Sequence, residues 1–160
     1  LGDGTTIDRH GPVEVKRLSR VTDISSGYGH TCAVAEGGTV HCWGYNPWGQ
    51  VGDGTTTTQL EPVKIEGLSR ATAISSGGDH TCAVAEGGIA YCWGDNNAGQ
   101  LGDGTSTRRL SPVKVEGLSG VIDITTGIDH TCALLADGTV YCWGSDFFGQ
   151  LGGGSSTTRT

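Results

Sequence analysis

Basic residues and long apolar runs are scarce in this 160-residue sequence, and methionine is absent. The 10 Lys and Arg residues are scattered, against 17 Asp and Glu, and the net charge is −7. No basic stripe is therefore available to neutralise phosphates or to bind anionic lipid. No apolar run approaches the roughly 20 residues of a membrane-spanning helix, and no signal-peptide pattern occurs. We expect neither nucleic acid nor membrane as a partner.

Signatures of catalysis and of metal binding are missing as well. Gly-x-Ser-x-Gly, the P-loop and His-Glu-x-x-His do not occur, and no isolated pair of carboxylates offers an acid and a base. Asp53 and Asp103 lie in Gly-Asp-Gly-Thr, which lacks the alternating acidic ligands of a calcium loop and is typical of a turn. We predict no enzyme activity, no catalytic residue, no metal site and no cofactor.

A period of 50 residues runs through the chain without insertion. The segment LGDGT at 1–5 returns as VGDGT at 51–55 and LGDGT at 101–105, and degenerates to LGGG at 151–154. The 29 glycines follow no three-residue period, so they indicate turns rather than a collagen-like helix. The chain is therefore a tandem repeat of about three units.

Each period contains four short strand signals bounded by turn residues. In the second period these are Val63–Ile65, Ala71–Ser76, His80–Ala85 and Ile89–Trp93. Repeated four-stranded units predict an all-β fold of β-propeller blades, each with four antiparallel strands. We predict one domain over 1–160, with blades at 11–50, 61–100 and 111–150, and with 1–10, 51–60, 101–110 and 151–160 as equivalent connections.

The six cysteines form pairs ten residues apart, with one glycine-containing turn inside each pair. A three-residue hairpin loop places the two cysteines directly opposite each other, at a non-hydrogen-bonded site with Cα atoms near 4.5 Å apart. Zinc ligation and free buried thiols are the competing interpretations, but zinc sites usually bring cysteines in C-x₂₋₄-C knuckles. Disulfides predict an oxidising compartment, extracellular or periplasmic. The predicted disulfides are Cys32–Cys42, Cys82–Cys92 and Cys132–Cys142.

The sequence Ile24–Val34, the Cys-Trp-Gly triplets and the segment Gly99–Gly104 resemble the regulator-of-chromosome-condensation repeat over the whole chain. The cysteine pairing is similar to that of bacterial, exported members. The resemblance implies a propeller of the kind that serves as nucleotide-exchange factor, ultraviolet-B receptor, β-lactamase inhibitor or binding module. The uninterrupted period leaves no room for the wedge that exchange uses. The Trp and Arg of the photoreceptor motif are also absent at positions 28–29, 78–79 and 128–129.

Two residue types occupy the same position in every repeat, and we interpret both as structural. A catalytic group is needed once, whereas an identically repeated one usually serves the framework. We therefore favour hydrogen bonding to a neighbouring blade over a metal or acid–base role for the histidines, and core packing over a ligand platform for the tryptophans. These residues are His30, His80 and His130, and Trp43, Trp93 and Trp143.

The loop residues that break the repeat are the candidates for recognition. Aromatic side chains on loops held by a rigid scaffold are favoured interface anchors. Packing between blades is an equally good explanation for Trp48 and Phe147. The ligand-binding candidates are Tyr28, Tyr45, Trp48, Ile128, Phe147 and Phe148.

Three blades are too few for a closed ring, since propellers have about four to eight. Two chains would supply six blades, and a dimer is the commonest closed symmetry. We therefore expect a homodimeric ring that acts as a non-catalytic scaffold for a protein or glycan ligand. The alternative is a guanine-nucleotide exchange factor or an enzyme acting on the propeller face. A scaffold predicts recognition residues that differ between repeats, and an enzyme predicts one singular polar cluster.

Overall fold

The computed structural model describes residues 1–68 and 70–153, and the described residues form eleven strands in three antiparallel sheets. Within these ranges no helix is long and apolar enough to cross a membrane. The strands are β1 (Val21–Ser26), β2 (His30–Ala35), β3 (Thr39–Gly44), β4 (Gln59–Lys64), β5 (Ala71–Ser76), β6 (His80–Ala85), β7 (Ile89–Gly94), β8 (Arg109–Lys114), β9 (Val121–Thr126), β10 (His130–Leu135) and β11 (Val140–Gly144).

The three sheets are three blades, one for each repeat. The strand orders are β1-β2-β3-β4 in the first blade, β5-β6-β7-β8 in the second and, over the described residues, β9-β10-β11 in the third. Neighbouring strands are antiparallel throughout. The predicted all-β fold of four-stranded antiparallel blades is confirmed.

The proline-containing strand belongs to the preceding blade and not to the blade in which the sequence pattern placed it. β4 pairs with β3 of the preceding blade, in the register Cys42↔Val63 and His41↔Lys64, and β8 pairs with β7 in the same way. The sheets therefore occupy 21–64, 71–114 and 121–144 instead of coinciding with the limits 11–50, 61–100 and 111–150. Most of the predicted connection at 151–160 lies outside the described residues, which end at 153.

The long loop between β3 and β4 returns the chain to the same sheet because one buried side chain holds it closed. Asn46 is fully buried, and its Nδ2 donates to the carbonyl oxygens of Thr55 and Thr57, each 3.1 Å away. Its Oδ1 accepts a hydrogen bond from the Val51 amide at 2.9 Å. Asn96 makes the equivalent three bonds in the second blade. These bonds bring the start of β4 back to β3.

All six cysteines are in disulfides, and the predicted pairs are confirmed. Cys32 lies opposite Cys42 across the β2–β3 hairpin, and the other two pairs repeat this register. The Cα atoms are 4.1 Å apart in each pair, as a non-hydrogen-bonded site requires. Each bridge fastens the two central strands of one blade.

The hydrophobic core lies between blades, and we call each of these interfaces a seam. In the first seam, Val34 and Val40 of the first blade pack with Ala71, Ile74 and the fully buried Trp93 of the second. The second seam repeats this packing with the side chains Val84, Ala90, Val121, Ile124 and Trp143. A blade therefore buries its apolar faces only where it has neighbours.

Candidate functional site

A polar network crosses the first seam beside the apolar core. His30 Nε2 lies 2.7 Å from Thr81 Oγ1, which donates to the carbonyl oxygen of Gln50 at 2.8 Å. Trp93 Nε1 donates to the same carbonyl at 3.0 Å. Because the threonine proton is directed at the carbonyl, His30 donates through Nε2.

The second seam repeats the network. His80 Nε2 lies 2.9 Å from Thr131 Oγ1, and both Thr131 and Trp143 donate to the carbonyl oxygen of Gln100. The partner of each histidine is thus a hydroxyl of the next blade. Of the remaining predicted framework residues, Trp43 packs against Gly2, and His130 lies half-buried on the side of the third blade that has no neighbour in this chain.

Burial keeps the seam histidines neutral. It lowers the pKa of His30 to about 4 and that of His80 to about 3, and for His80 the neighbouring histidines His30 and His130 add to the effect. The Nδ1 atoms of both rings are buried without a hydrogen-bond partner, so a proton there would have no acceptor. These groups are fixed by the framework and are poor proton carriers near neutral pH.

The first glycine of each LGDGT or VGDGT motif leaves space for a seam tryptophan. Gly52 has φ +86°, and a Cβ there would lie 2.5 Å from Trp93 Nε1. Gly102 has the same relation to Trp143. The repeated motif is therefore set by packing across the seam and by a left-handed backbone.

Two sets of loops lie side by side along one edge of the blades. The amide of Tyr45 donates to the carbonyl oxygen of Gly29 at 2.8 Å, and the amides of Asp95 and Ser145 repeat this bond in the later blades. This contact joins each loop between the first two strands of a blade to the loop after its third strand. We call this surface the loop edge; it comprises residues 27–29, 45–50, 77–79, 95–100, 127–129 and 145–150.

The loop edge carries the most exposed large apolar side chains of the described residues, and all six predicted recognition residues are exposed there, Trp48 the least at 38%. Tyr45 is 46% exposed, and the other four are between 74% and 89% exposed. The rings of Phe147 and Phe148 meet edge to face, with centroids 4.8 Å apart. The four most exposed residues are Tyr28, Ile128, Phe147 and Phe148.

Trp48 occupies a different environment from the other candidates. The guanidinium of Arg108, which belongs to the second blade, lies 5.2 Å from the centre of the Trp48 ring and donates to the carbonyl oxygen of Pro47 at 2.8 Å. This cation–π contact ties the first blade to the second. Trp48 therefore contacts the neighbouring blade, while 38% of its surface stays exposed to solvent.

An acidic group that was not among the predicted site residues lies in the middle of the loop edge. Burial and the carboxylates of Asp95 and Asp129 raise the pKa of Asp79, and burial and Asp95 raise that of Asp129. Gln50 Nε2 donates to Asp79 Oδ1 at 2.7 Å. Among the described residues no group of three or more His, Cys, Asp or Glu is placed to hold a metal ion. These positions vary between repeats, and that variation was the available signal.

An open groove of about 500 Å³ lies at the far end of the loop edge. Ile128, His130, Phe147, Phe148 and Gln150 are among its lining residues. In the first two blades the equivalent surface is occupied by the next blade, since His30 contacts Thr81 and His80 contacts Thr131. The groove is thus the surface of the third blade that corresponds to the surface by which each earlier blade contacts the next one.

The repeat sequence and its blade geometry match one known family. The regulator of chromosome condensation (RCC1) repeat matches residues 1–34, 37–84 and 87–134, and a second description of the same repeat matches 21–50, 71–100 and 121–150. The chain belongs to the RCC1 repeat family. No curated protein sequence gives a significant match.

Solved structures share the fold of this RCC1 repeat chain at low identity. Human WBSCR16 has a TM-score of 0.78 and 24% identity, covering 88% of this chain and 36% of its own. Prp20p of Saccharomyces cerevisiae, whose binding to Gsp1p and histones has been studied, has a TM-score of 0.77 and 21% identity, covering 90% and 37%. The ectodomain of the Physcomitrella patens receptor kinase CR4 has a TM-score of 0.55 and 24% identity, covering 84% and 32%. The chain therefore spans about a third of the length of these proteins.

Proposed function

We propose that this RCC1 repeat chain is a non-catalytic, self-associating scaffold that binds a protein through its loop edge. The observation that carries the proposal is the exposure of Tyr28, Ile128, Phe147 and Phe148 on loops that differ between otherwise uniform repeats. Aromatic anchors on a rigid frame are the usual centres of protein interfaces. Propellers of RCC1 repeats are generally binding or regulatory scaffolds.

The chemistry of the loop edge favours a protein over a glycan. Phe and Ile offer no hydrogen-bonding atom to a sugar hydroxyl, whereas they fit the apolar centre of a protein interface. Asp79, Asp95 and Asp129 lie beside them, and the whole chain is acidic. A protein with a basic rim around an apolar patch would complement this surface.

The non-catalytic part of the proposal is supported by how the polar groups are used. The seam histidines bond to the seam threonines, and the threonines and tryptophans donate to the same backbone carbonyl oxygens. The acidic residues of the loop edge bond to glutamine amides, as in the pairs Gln50–Asp79 and Gln100–Asp95. The exchange-factor alternative rests on the family alone, and this chain spans about a third of its solved relatives.

We place the protein in an extracellular or periplasmic compartment and expect it to form a homodimer. The three disulfides are compatible with an oxidising location. The homodimer is proposed because two apolar blade faces remain exposed, and two three-blade chains supply the six blades of a closed ring.

Display of a random peptide library against the immobilised chain tests the proposed function, with an array of defined oligosaccharides in parallel. We expect enrichment of basic peptides with apolar centres, and binding that F147A/F148A weakens by at least about tenfold. The control I122A removes an exposed isoleucine outside the loop edge and should bind normally. Selective oligosaccharide binding would identify a glycan scaffold instead, and binding that ignores F147A/F148A would exclude this part of the loop edge.

A further inference from the structure

The disulfides of the first two blades lie inside the seams, out of contact with solvent. Cys32 and Cys42 are fully buried and belong to the apolar cluster of the first seam. Cys82 and Cys92 are fully buried in the second seam. A dissolved thiol must reach a sulfur atom in order to reduce a disulfide, so the packed seams shield both bonds from that reaction.

The disulfide of the first blade shares its seam with the tryptophan of the second blade. Trp93 is fully buried in the cluster that contains Cys32 and Cys42, although it directly follows Cys92 in the sequence. Successive side chains of a strand point to opposite faces of the sheet, so Cys92 and Trp93 of β7 lie in different seams. The indole and the disulfide that pack together therefore come from different blades.

The threonine of the polar network lies between this indole and this disulfide. Thr81 is the cross-strand partner of Trp93, and its Oγ1 lies 4.0 Å from Cys32 Sγ. The Thr81 hydroxyl and Trp93 Nε1 donate to the same carbonyl oxygen, that of Gln50. The sulfur, the hydroxyl and the indole N–H thus occupy one buried contact region.

The second seam has the same arrangement one repeat later. Thr131 is the cross-strand partner of Trp143, and its Oγ1 lies 3.9 Å from Cys82 Sγ. Trp143 packs in the cluster that contains Cys82 and Cys92. The two seams are therefore two examples of one pairing, in which an indole packs beside the disulfide of the preceding blade.

This pairing has a photochemical consequence. A photoexcited indole readily gives up one electron, and a disulfide readily accepts one. The transfer needs close approach of the two groups, and it competes with the fluorescence of the indole. A close-packed core holds both groups in place during the lifetime of the excited state. Light can thus act on bonds that dissolved reductants do not reach.

We propose that the first two disulfides are sites of light-driven cleavage, with the tryptophan of the following blade as the electron donor. Excited Trp93 transfers one electron to the Cys32–Cys42 bond, which breaks into a thiolate and a thiyl radical. The indole radical cation releases its Nε1 proton, and the thiolate takes up one proton. The products are an indolyl radical, a thiol and a thiyl radical, so atoms and electrons balance without another reactant.

Trp143 acts on Cys82–Cys92 by the same reaction. Both sites lie in the seams and not on the loop edge, so this inference is independent of the proposed binding function. Peptide binding by the loop edge is measured on the unirradiated chain, and its outcome does not bear on the photochemistry.

The first test is irradiation of the purified, oxidised chain at the long-wavelength edge of the indole absorption band, where tyrosine absorbs little. The chain is then unfolded in the presence of an alkylating reagent, and peptide mass spectrometry locates each new thiol. We expect alkylation at Cys32–Cys42 and at Cys82–Cys92 to increase with the light dose and to be absent in the dark. A chain without alkylated cysteines after irradiation would overturn the proposal.

Three tryptophan variants identify the donor. W93F should remove the cleavage of Cys32–Cys42 and retain that of Cys82–Cys92, and W143F should do the reverse. W43F is the matched control, because Trp43 follows Cys42 in the sequence but packs on the opposite face of β3, and it should leave both cleavages unchanged. Equal cleavage of Cys32–Cys42 in W93F and in the natural sequence would contradict the assignment, as would its loss in W43F.

Fluorescence gives a second readout that does not depend on trapping a product. Electron transfer competes with emission, so C32S/C42S, which removes the acceptor beside Trp93, should raise the tryptophan emission. C132S/C142S removes a disulfide that belongs to neither seam cluster and should leave the emission unchanged. Circular dichroism verifies the β-sheet fold of each variant before the comparison. Unchanged emission in a folded C32S/C42S chain would show that the indole and the disulfide are not coupled.

Discussion

The seam histidine His30 is buried, and the folded structure accommodates its neutral form. His30 donates through Nε2 to Thr81, and its Nδ1 has no partner. Burial lowers its pKa from 6.5 to about 4, so between these pH values the unfolded chain binds a proton that the folded chain does not. The free energy of unfolding therefore falls as the pH is lowered from about 6.5 to about 4, and this contribution levels off below pH 4.

We predict that H30Q removes part of this pH dependence. Gln keeps a side-chain donor for Thr81 but does not titrate, so the loss of stability between pH 6.5 and pH 4, up to about 3 kcal/mol for one such histidine, should shrink. Urea unfolding at a series of pH values measures it. H10Q changes an exposed histidine and should leave the slope unchanged. An unaltered slope in H30Q would show that other groups control acid unfolding.

Two glycines with the same backbone conformation separate the cost of the left-handed backbone from the cost of crowding. Gly52 (φ +86°) contacts Trp93, whereas Gly67 (φ +83°) has open space where its Cβ would be. We predict that G67A lowers the free energy of unfolding by about 1 kcal/mol, and G52A by about 1–3 kcal/mol more. Equal effects in urea unfolding would mean that the seam tolerates the extra methyl group.

Among the structural elements, the central hairpin of each blade was predictable from sequence, whereas the edge strand was not. The spacing of Cys32 and Cys42 fixes the hairpin register locally, and the structure has that register. The sheet to which Val63 belongs depends on the folding of the loop 45–58 around Asn46. Periodicity carries no information on such a non-local contact. The predicted blade limits therefore differ from the observed limits of the sheets.

The disulfide of the middle blade should stabilise the fold without being required for it. It closes a short hairpin whose strands are already paired, and the chain-entropy model gives at most about 2–3 kcal/mol for such a loop. We predict that C82S/C92S lowers the free energy of unfolding by no more than this and retains the β-sheet circular dichroism spectrum. C132S/C142S in the end blade is the matched comparison. Six alkylatable thiols in the native, unreduced protein would contradict the disulfide assignment.

For the whole molecule, the fold followed from the repeat, but the role of the aromatic residues did not. Trp48 and Phe148 share one position after the third strand, yet Trp48 lies beside Arg108 of the next blade and Phe148 is 87% exposed. The difference arises from the presence or absence of a neighbouring blade, which no local pattern contains. Sequence could therefore name the candidates without separating packing from recognition.

A self-associating arc should become more heat-stable as its concentration rises. Association binds the folded chain only, so mass action raises Tm with concentration. We predict a higher Tm at about 100 µM than at about 1 µM for the natural sequence. V140D, which places a charge on the exposed apolar face of the third blade, should show a much smaller dependence, whereas I122D, which changes another exposed apolar residue, should behave like the natural sequence. Differential scanning calorimetry at the two concentrations measures this. A Tm independent of concentration in the natural sequence would show that folding and association are uncoupled.

The His–Thr–carbonyl network has a consequence for how copies find their places. Both internal seams use the same residue types at the same repeat positions. The seam contacts therefore do not distinguish one blade from another. A third copy is then as good a match for a free end as the second, and growth into an open chain competes with closure. Dilution favours the closed ring, because the final junction forms within one particle and its rate does not depend on concentration.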